Sequence, residues 1–214
     1  MSTVYDCALP ERRSAGLAAA ASAIRARQLV VLPTDTVYGL GCDAYSSLAV
    51  QALLDAKGRG RDMPVPVLVG SWAALDGLVL RVPPQARTLV EAFWPGGLSL
   101  VLPNAPSLAW DLGETRGTVM LRMPLHPVAL ELLREVGPMA VSSANRSGLP
   151  PATTVEQARE QFAERVRVYL DGGKAGETAS TILDLTGDDP VVLREGAVTA
   201  AQIGEVLGRT IKVG

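Results

Sequence analysis

Histidine, cysteine and aromatic side chains are scarce in this sequence, and each shortage excludes a class of chemistry. One histidine, His126, stands among 214 residues. It cannot form a histidine metal cluster, and it is the sole candidate for any imidazole-based triad. Cys7 and Cys42 lie 35 positions apart; they match no CxxC or zinc-ligand spacing and read as free thiols in a reducing compartment. Three Trp, four Tyr and two Phe amount to 4% of the chain, so Ala, Val and Leu must build the core. The longest apolar stretch, Gly16 to Ile24, is under half of the ~20 residues a membrane helix needs. No membrane partner is expected. The N-terminus, MSTVYDCALPERR, carries Asp6 and Glu11 and has no apolar h-region, so it is not a secretory signal and the cytoplasm is the expected location. An excess of one charge is also missing, with 20 basic and 22 acidic residues and a net charge of -2. That balance argues against a surface coated with nucleic acid and leaves room for a local basic groove.

Hydrophobic residues at 48% and charged ones at 20% exclude a disordered chain. A chain of this size buries about 70% of its unfolded surface, enough for one domain without metal or disulfide staples. Segments of helical period alternate with short β-branched runs. Residues 12–27 read as an Ala-rich helix and LVVLP (29–33) as a buried strand. Ser46 or Ser47 starts a helix that Gly58 stops. VPVLV (65–69) reads as a strand that Pro66 demotes toward an edge. Pro83 and Pro84 open a helix to Trp94, and LSLVLP (98–103) and TVMLRM (118–123) are strands. Pro127 to Gly137 bounds a further helix before MAVSS (139–143). Thr154 with Gln157 and Thr199 with Gln202 form capping-box patterns around the strands VRVYL, STILDL and PVVLR. About eight strands and six helices imply an α/β single domain: a twisted, mixed, largely central β-sheet flanked by helices.

Familiar nucleotide signatures fail. There is no GxxxxGK[ST], so a P-loop is excluded. Gly39 to Ala44 fits G-x-G-x-x-A, but TDTVY separates it from the preceding strand and a turn follows it, unlike a dinucleotide fingerprint. SSAN (142–145) is no nucleophile elbow. What remains is a set of polar residues at strand ends, where open α/β sheets bind ligands. Thr34-Asp35-Thr36 follows the first strand, and Lys57-Gly58-Arg59-Gly60-Arg61 places three cations in five residues. Alternation puts Thr118, Met120 and Arg122 on one face of a strand. An arginine among core residues needs an anionic partner or a cleft, and Glu131 is one candidate partner. Each feature also has a plain structural reading: Lys57 at a helix C-terminus, Asp35 closing a turn, His126 at a helix start.

PTDTVYGLG (33–41), K-G-R then Pro (57–64), FWPGGLSLVL (93–102), RMPLHP (122–127), SSANRSG (142–148), STILDL (180–185) and LREG (193–196) occur in one order. The series closely resembles the YrdC family of L-threonylcarbamoyladenylate synthases. The resemblance implies a YrdC-like fold over residues 12–208, with 1–11 an N-terminal extension and 209–214 a C-terminal tail, in the single-domain subtype. It implies a nucleotidyltransferase that joins L-threonine, bicarbonate and ATP into threonylcarbamoyl-AMP with release of pyrophosphate. Mg2+ would travel with the nucleotide and no metal would be held by the protein. The product would pass to a threonylcarbamoyl transferase complex for modification of ANN-decoding tRNAs, with weak tRNA binding by this chain. By resemblance, Lys57, Arg59, Ser143 and Asn145 are catalytic and surround the triphosphate. Met63, Thr118, Ser180 and Arg194 are further ATP positions, and Thr34, Thr36, Arg122 and Val141 bind threonine.

The pattern departs from many relatives at Met63, where Asn is usual, at Leu68, where His is usual, and at Pro151, where serine is common. A bond to each ligand is thereby put in question. The alternative from another class is an RNA-binding module without synthase activity, with salt-dependent tRNA affinity. A carbamoyl-phosphate-using relative would carry zinc-finger and acylphosphatase segments, which two isolated cysteines cannot supply.

Overall fold

The computed structural model describes residues 1–214, in which short strands and helices alternate along the chain. The first third contains β1 (Thr3–Asp6), α1 (Pro10–Arg25), β2 (Val30–Leu32), β3 (Gly39–Asp43), α2 (Ser47–Lys57) and β4 (Val67–Leu68). The middle contains α3 (Ala74–Leu78), α4 (Pro84–Phe93), β5 (Leu98–Pro103), β6 (Thr118–Arg122), α5 (Pro127–Val136) and β7 (Met139–Ser143). The last part contains α6 (Val155–Phe162), β8 (Val168–Asp171), β9 (Thr181–Asp184), β10 (Val191–Arg194), α7 (Ala200–Leu207) and β11 (Lys212–Val213).

Local chemistry explains most boundaries. Pro10 and Pro127 sit where a helix needs no N–H. The Ser46 hydroxyl accepts from the Ala49 N–H, and Gly58 closes α2 in the left-handed region at φ +62°. Thr199 and Gln202 complete a reciprocal capping box on α7. Thr154 forms only half of one: its hydroxyl accepts from Gln157, but Gln157 Oε1 turns to the Thr153 N–H at 2.8 Å.

The sheet has eleven strands in the order β1-β8-β2-β3-β7-β4-β6-β5-β9-β10-β11. Pairs β1/β8, β2/β8, β4/β6, β5/β9 and β10/β11 are parallel, and the others are antiparallel. The sheet is mixed because helical crossovers and hairpins both occur. One face packs α1 and α5 through Ala20, Ile24, Leu132 and Leu133. The larger apolar cluster joins Leu53, Leu89, Phe162 and Ile203 of α2, α4, α6 and α7.

Two sequence expectations change. The strand around Pro66 is central, between β7 and β6, and only two residues long. Pro66 precedes its paired residues, so its missing N–H breaks no ladder bond, and its carbonyl accepts from the Val141 N–H at 2.9 Å. The Gly39-Leu40-Gly41 run is strand β3, held between β2 and β7. Its glycines are required because Val141 and Met139 lie over them: a Cβ at Gly39 would meet Val141 Cγ1 at 2.6 Å, and one at Gly41 would meet Met139 Cε at 2.8 Å. Both flanks of residues 12–208 join the sheet, as β1 and β11.

Candidate active site

Strand register sets out a row of side chains on one face of the sheet. Leu100 pairs with Leu121 and Val101 with Met120, while Ser99 pairs with Ile182 and Val101 with Asp184. Side chains alternate in register, so Arg122, Ser99, Ile182 and Ser180 share a face with Met120, Val101 and Thr118. This face forms a trough with a polar cleft of about 190 Å³ at one end and an apolar hollow of about 300 Å³ at the other. Pro64 and Met120 border both.

The polar cleft holds three arginines, Arg59, Arg122 and Arg194, and the hydroxyls of Thr34, Thr36, Ser99, Ser142, Ser143 and Ser180. No acidic side chain lines it. The arrangement suits a ligand with several negative charges.

At one end Arg122, 6% exposed, is fixed on three sides. Its Nε donates to the Gly96 carbonyl at 2.8 Å, Nη1 to Thr36 Oγ1 at 2.9 Å and Nη2 to Asp35 Oδ1 at 2.7 Å. Asp35 Oδ1 also accepts the Leu125 N–H at 2.8 Å, so the end of β6 and the turn before α5 grip one carboxylate. Of five guanidinium N–H groups two remain free, enough for a carboxylate. Burial pulls the Arg122 pKa down and Asp35 opposes that shift. The Thr34 hydroxyl donates to the Val37 carbonyl at 2.6 Å, so within the 3.1 Å Thr34–Thr36 contact Thr36 is the donor.

At the other end Lys57 is buried beneath the turn after β7. Its Nζ donates to the carbonyls of Ser143 and Asn145, both at 2.6 Å, and to Asn145 Oδ1 at 3.4 Å. All three protons are committed to that turn. Burial, with help from Arg59, pushes the Lys57 pKa down to about 8. Arg59 Nη1 donates to Ser142 Oγ at 3.1 Å and Nη2 to the Pro64 carbonyl at 3.4 Å, while its buried Nε has no partner. Arg194 holds the Ser180 carbonyl through Nε at 3.1 Å and Nη2 at 2.8 Å. Burial lowers the pKa of both arginines.

The fold therefore brings Thr34, Thr36, Arg59, Arg122, Val141, Ser143, Ser180 and Arg194 to one cleft. Lys57 and Asn145 stand behind its wall. Val141 contributes a side chain, its N–H being bound to Pro66. Thr118 donates to the Thr115 carbonyl at 2.8 Å and lines the apolar hollow instead. Met63 is exposed and lines neither. Leu68 and Pro151 do line the cleft. His126 stands outside it at the N-cap of α5, and Arg61 pairs with Asp111. Arg122 does not pair with Glu131, which Arg13 takes. Sequence reasoning passed over Ser99, and it gave no site role to Asp35 or Ser142. Arg122's need for an anion pointed to Asp35 as much as to Glu131, and a serine inside an apolar strand flagged Ser99.

Comparison with known proteins agrees. A family model covering Sua5, YciO and YrdC proteins, described as telomere recombination, matches residues 22–196. The chain belongs to the Sua5/YciO/YrdC family. A family member from Mycobacterium tuberculosis, provisionally named threonylcarbamoyl-AMP synthase, is 65% identical over 209 residues, covering 97% of this chain and 96% of that protein. The Bacillus subtilis threonylcarbamoyl-AMP synthase is 42% identical over 196 residues, covering 90% of this chain and 56% of its own. Among solved Sua5 structures, that of Pyrococcus abyssi Sua5 complexed with L-threonine superposes with a TM-score of 0.91 at 35% identity. The superposition covers 100% of this chain and 62% of the Pyrococcus chain.

Proposed function

We propose that this chain is an L-threonylcarbamoyladenylate synthase, a nucleotidyltransferase that makes threonylcarbamoyl-AMP and pyrophosphate from L-threonine, bicarbonate and ATP. The observation that carries the reading is a cleft with three arginines, a row of hydroxyls and no carboxylate. Such a site neutralises phosphates and fixes a carboxylate without supplying a covalent nucleophile of its own. The threonine complex of the Pyrococcus relative favours this reading over an RNA-binding module.

Arg122 takes the amino-acid carboxylate on its two free N–H groups, with Thr34, Thr36 and the Val141 side chain bounding that end. Arg59, Ser143, Ser180 and Arg194 face the triphosphate, and the unpartnered Arg59 Nε is a donor ready for a phosphate oxygen. Lys57 and Asn145 hold the turn that presents Ser143. Thr118 and the apolar hollow suit the nucleoside, whose base needs a flat apolar wall. Met63 is exposed and adjoins Pro64, which borders both halves of the trough.

The threonine nitrogen bonds to the bicarbonate carbon, water leaves, and a carbamate forms. A carbamate oxygen then attacks the α-phosphorus and pyrophosphate departs with the bonding pair. Holding both partners in line supplies most of the rate, since the protein has no covalent step to perform. The chain has no group of three or more His, Cys, Asp or Glu side chains that could hold a metal ion. Mg2+ is proposed to arrive with the substrate, as Mg-ATP bound through phosphate oxygens and water.

Residues 12–208 are proposed as the catalytic unit. The product goes to a threonylcarbamoyl transferase complex acting on ANN-decoding tRNAs, with weak tRNA contact by this chain. No helix is long and apolar enough to cross a membrane; the free buried thiols of Cys7 and Cys42 support the cytoplasm as the compartment.

Pyrophosphate release from Mg-ATP, measured with L-threonine or bicarbonate omitted in turn, tests the reading. Release that requires both is expected. Release that requires neither, from folded protein, would overturn it.

A further inference from the structure

Gly172, Gly173 and Gly176 lie between β8 and β9, outside the polar cleft, and the proposed reaction uses none of them. Two of them rest on the loop that carries Thr34, Asp35 and Thr36. A Cβ at Gly172 would stand 2.6 Å from Pro33 Cγ and 3.0 Å from His126 Cε1, and one at Gly176 would stand 2.7 Å from the Thr36 carbonyl oxygen and 2.9 Å from that of Asp35. Gly176 has no left-handed φ of the kind Gly173 shows at +81°, so close approach alone requires a glycine there.

Tyr38 pins this segment from below. Its side chain is fully buried, and its hydroxyl accepts the Gly172 N–H at 3.0 Å while lying 2.6 Å from the Gly173 carbonyl oxygen and 3.3 Å from Asp171 Oδ1. One phenolic proton serves one acceptor, and the nearer is the Gly173 carbonyl. Asp171 Oδ1 takes the Gly173 N–H at 2.9 Å. Burial raises the Tyr38 pKa, so the proton stays on the hydroxyl. The Tyr38 backbone is bound elsewhere: its N–H donates to the Ala152 carbonyl at 2.9 Å, and its carbonyl accepts the Ala144 N–H at 2.7 Å. Removing the hydroxyl therefore frees the glycine segment and leaves the bonds beside Ser143 in place.

We infer that Tyr38 is a positioning residue for the amino acid: its hydroxyl holds residues 172–176 against the 33–36 loop, and that backing fixes Thr34, Thr36 and the Asp35 carboxylate that orients Arg122. The inference rests on the assignment of Arg122 to the threonine carboxylate. Without the hydroxyl, the Gly172 N–H and the Gly173 carbonyl lose their partner, and the loop carrying both threonines loses its support.

The test is calorimetric titration of L-threonine, and separately of Mg-ATP, into wild type, Y38F, G176A, the Y38F/G176A double variant and G187A, with thermal melts as a fold control. Y38F is expected to weaken threonine binding about 3- to 10-fold, the size of one neutral hydrogen bond, and to leave ATP binding within about twofold. G176A pushes directly on the Asp35 and Thr36 carbonyls and should weaken threonine binding more than about tenfold. The double variant loses less than the product of the two, because both act through one loop. G187A, whose Cβ would meet nothing within 4 Å, binds both ligands as wild type does. A purely structural role lowers the melting temperature without separating the two ligands. Threonine binding by folded Y38F as tight as wild type, or equal losses for threonine and ATP, would overturn the inference. If either single variant does not fold, the other decides by the same split. Binding needs no turnover, so a wild type that binds threonine but releases no threonine-dependent pyrophosphate defeats the synthase reading alone. A wild type that binds no threonine defeats both.

Discussion

Replacing Arg122 with lysine keeps the charge and removes the geometry, so it separates the two. In the wild type the guanidinium reaches the Gly96 carbonyl, Thr36 Oγ1 and Asp35 Oδ1 within 2.9 Å and still has two N–H groups to offer. An ammonium has three protons on one centre. If it keeps Asp35, at most two protons remain, and from that centre they cannot serve both Gly96 and a bidentate carboxylate. A charged hydrogen bond contributes about 1.5–3 kcal/mol. Loss of one bond to threonine's carboxylate should thus raise the KM for threonine roughly 10- to 150-fold, using ~1.4 kcal/mol per tenfold. The KM for ATP should stay within about threefold, since none of the three Arg122 bonds involves Arg59 or Arg194. The assay is initial-rate pyrophosphate release against threonine at saturating ATP and bicarbonate, with melts to confirm folding. A folded R122K enzyme with an unchanged threonine KM would remove Arg122 from the amino-acid site. R122A is a poorer probe, because an unpaired Asp35, 17% exposed at its side chain, can cost about 3–5 kcal/mol of stability.

Lys57 offers a pH test. Its folded pKa is pushed down from 10.5 to about 8, so between those values the unfolded chain holds a proton that the folded chain has released. Stability should therefore gain up to roughly 3 kcal/mol as pH rises through that window, and K57M should lack this increment. Denaturant midpoints at pH 7.5 and 10 compare the two, and parallel pH profiles would refute the buried charge. Gly39→Ala is expected to destabilise the fold by about 1–3 kcal/mol through overpacking, because its Cβ would stand 2.6 Å from Val141 Cγ1. Val141→Ala in the same chain should recover most of the loss, and an additive double variant in urea melts would contradict the contact.

Legibility followed the range of the causes. Caps such as Ser46 and Gly58 and the alternation of β5 and β6 are local, so helix ends and shared faces could be read directly from residue order. Strand β3 could not, because two glycines look like a loop until Val141 and Met139, about a hundred residues later, are seen lying over them. The place of Pro66 was misread for a similar reason. A two-residue strand is set by neighbours on both sides, and its ladder is unaffected by a proline one step outside it. In the site, the residue types were legible and their partners were not. Arg122 clearly needed an anion, but only the path of the loop between β2 and β3 decides that Asp35, 87 residues away, reaches it before Glu131.

The scarcity of imidazole and carboxylate in the cleft constrains how the proposed reaction runs. With Lys57's three protons tied to the turn after β7, the remaining lining groups are hydroxyls and guanidiniums, which give hydrogen bonds far more readily than they accept protons. The cleft therefore acts by holding charge in place. Arg122, on β6, is locked by three bonds; Arg194, on β10, is locked on Ser180; and both grips are built on strands of one sheet. Strands packed on both faces hold such groups more rigidly than loops do. The separation between the carboxylate grip and the phosphate grip is thus set by strand spacing. That fixed separation lets a carbamate oxygen meet an α-phosphorus in line, and in-line placement is the largest contribution a site without a base or a nucleophile can make.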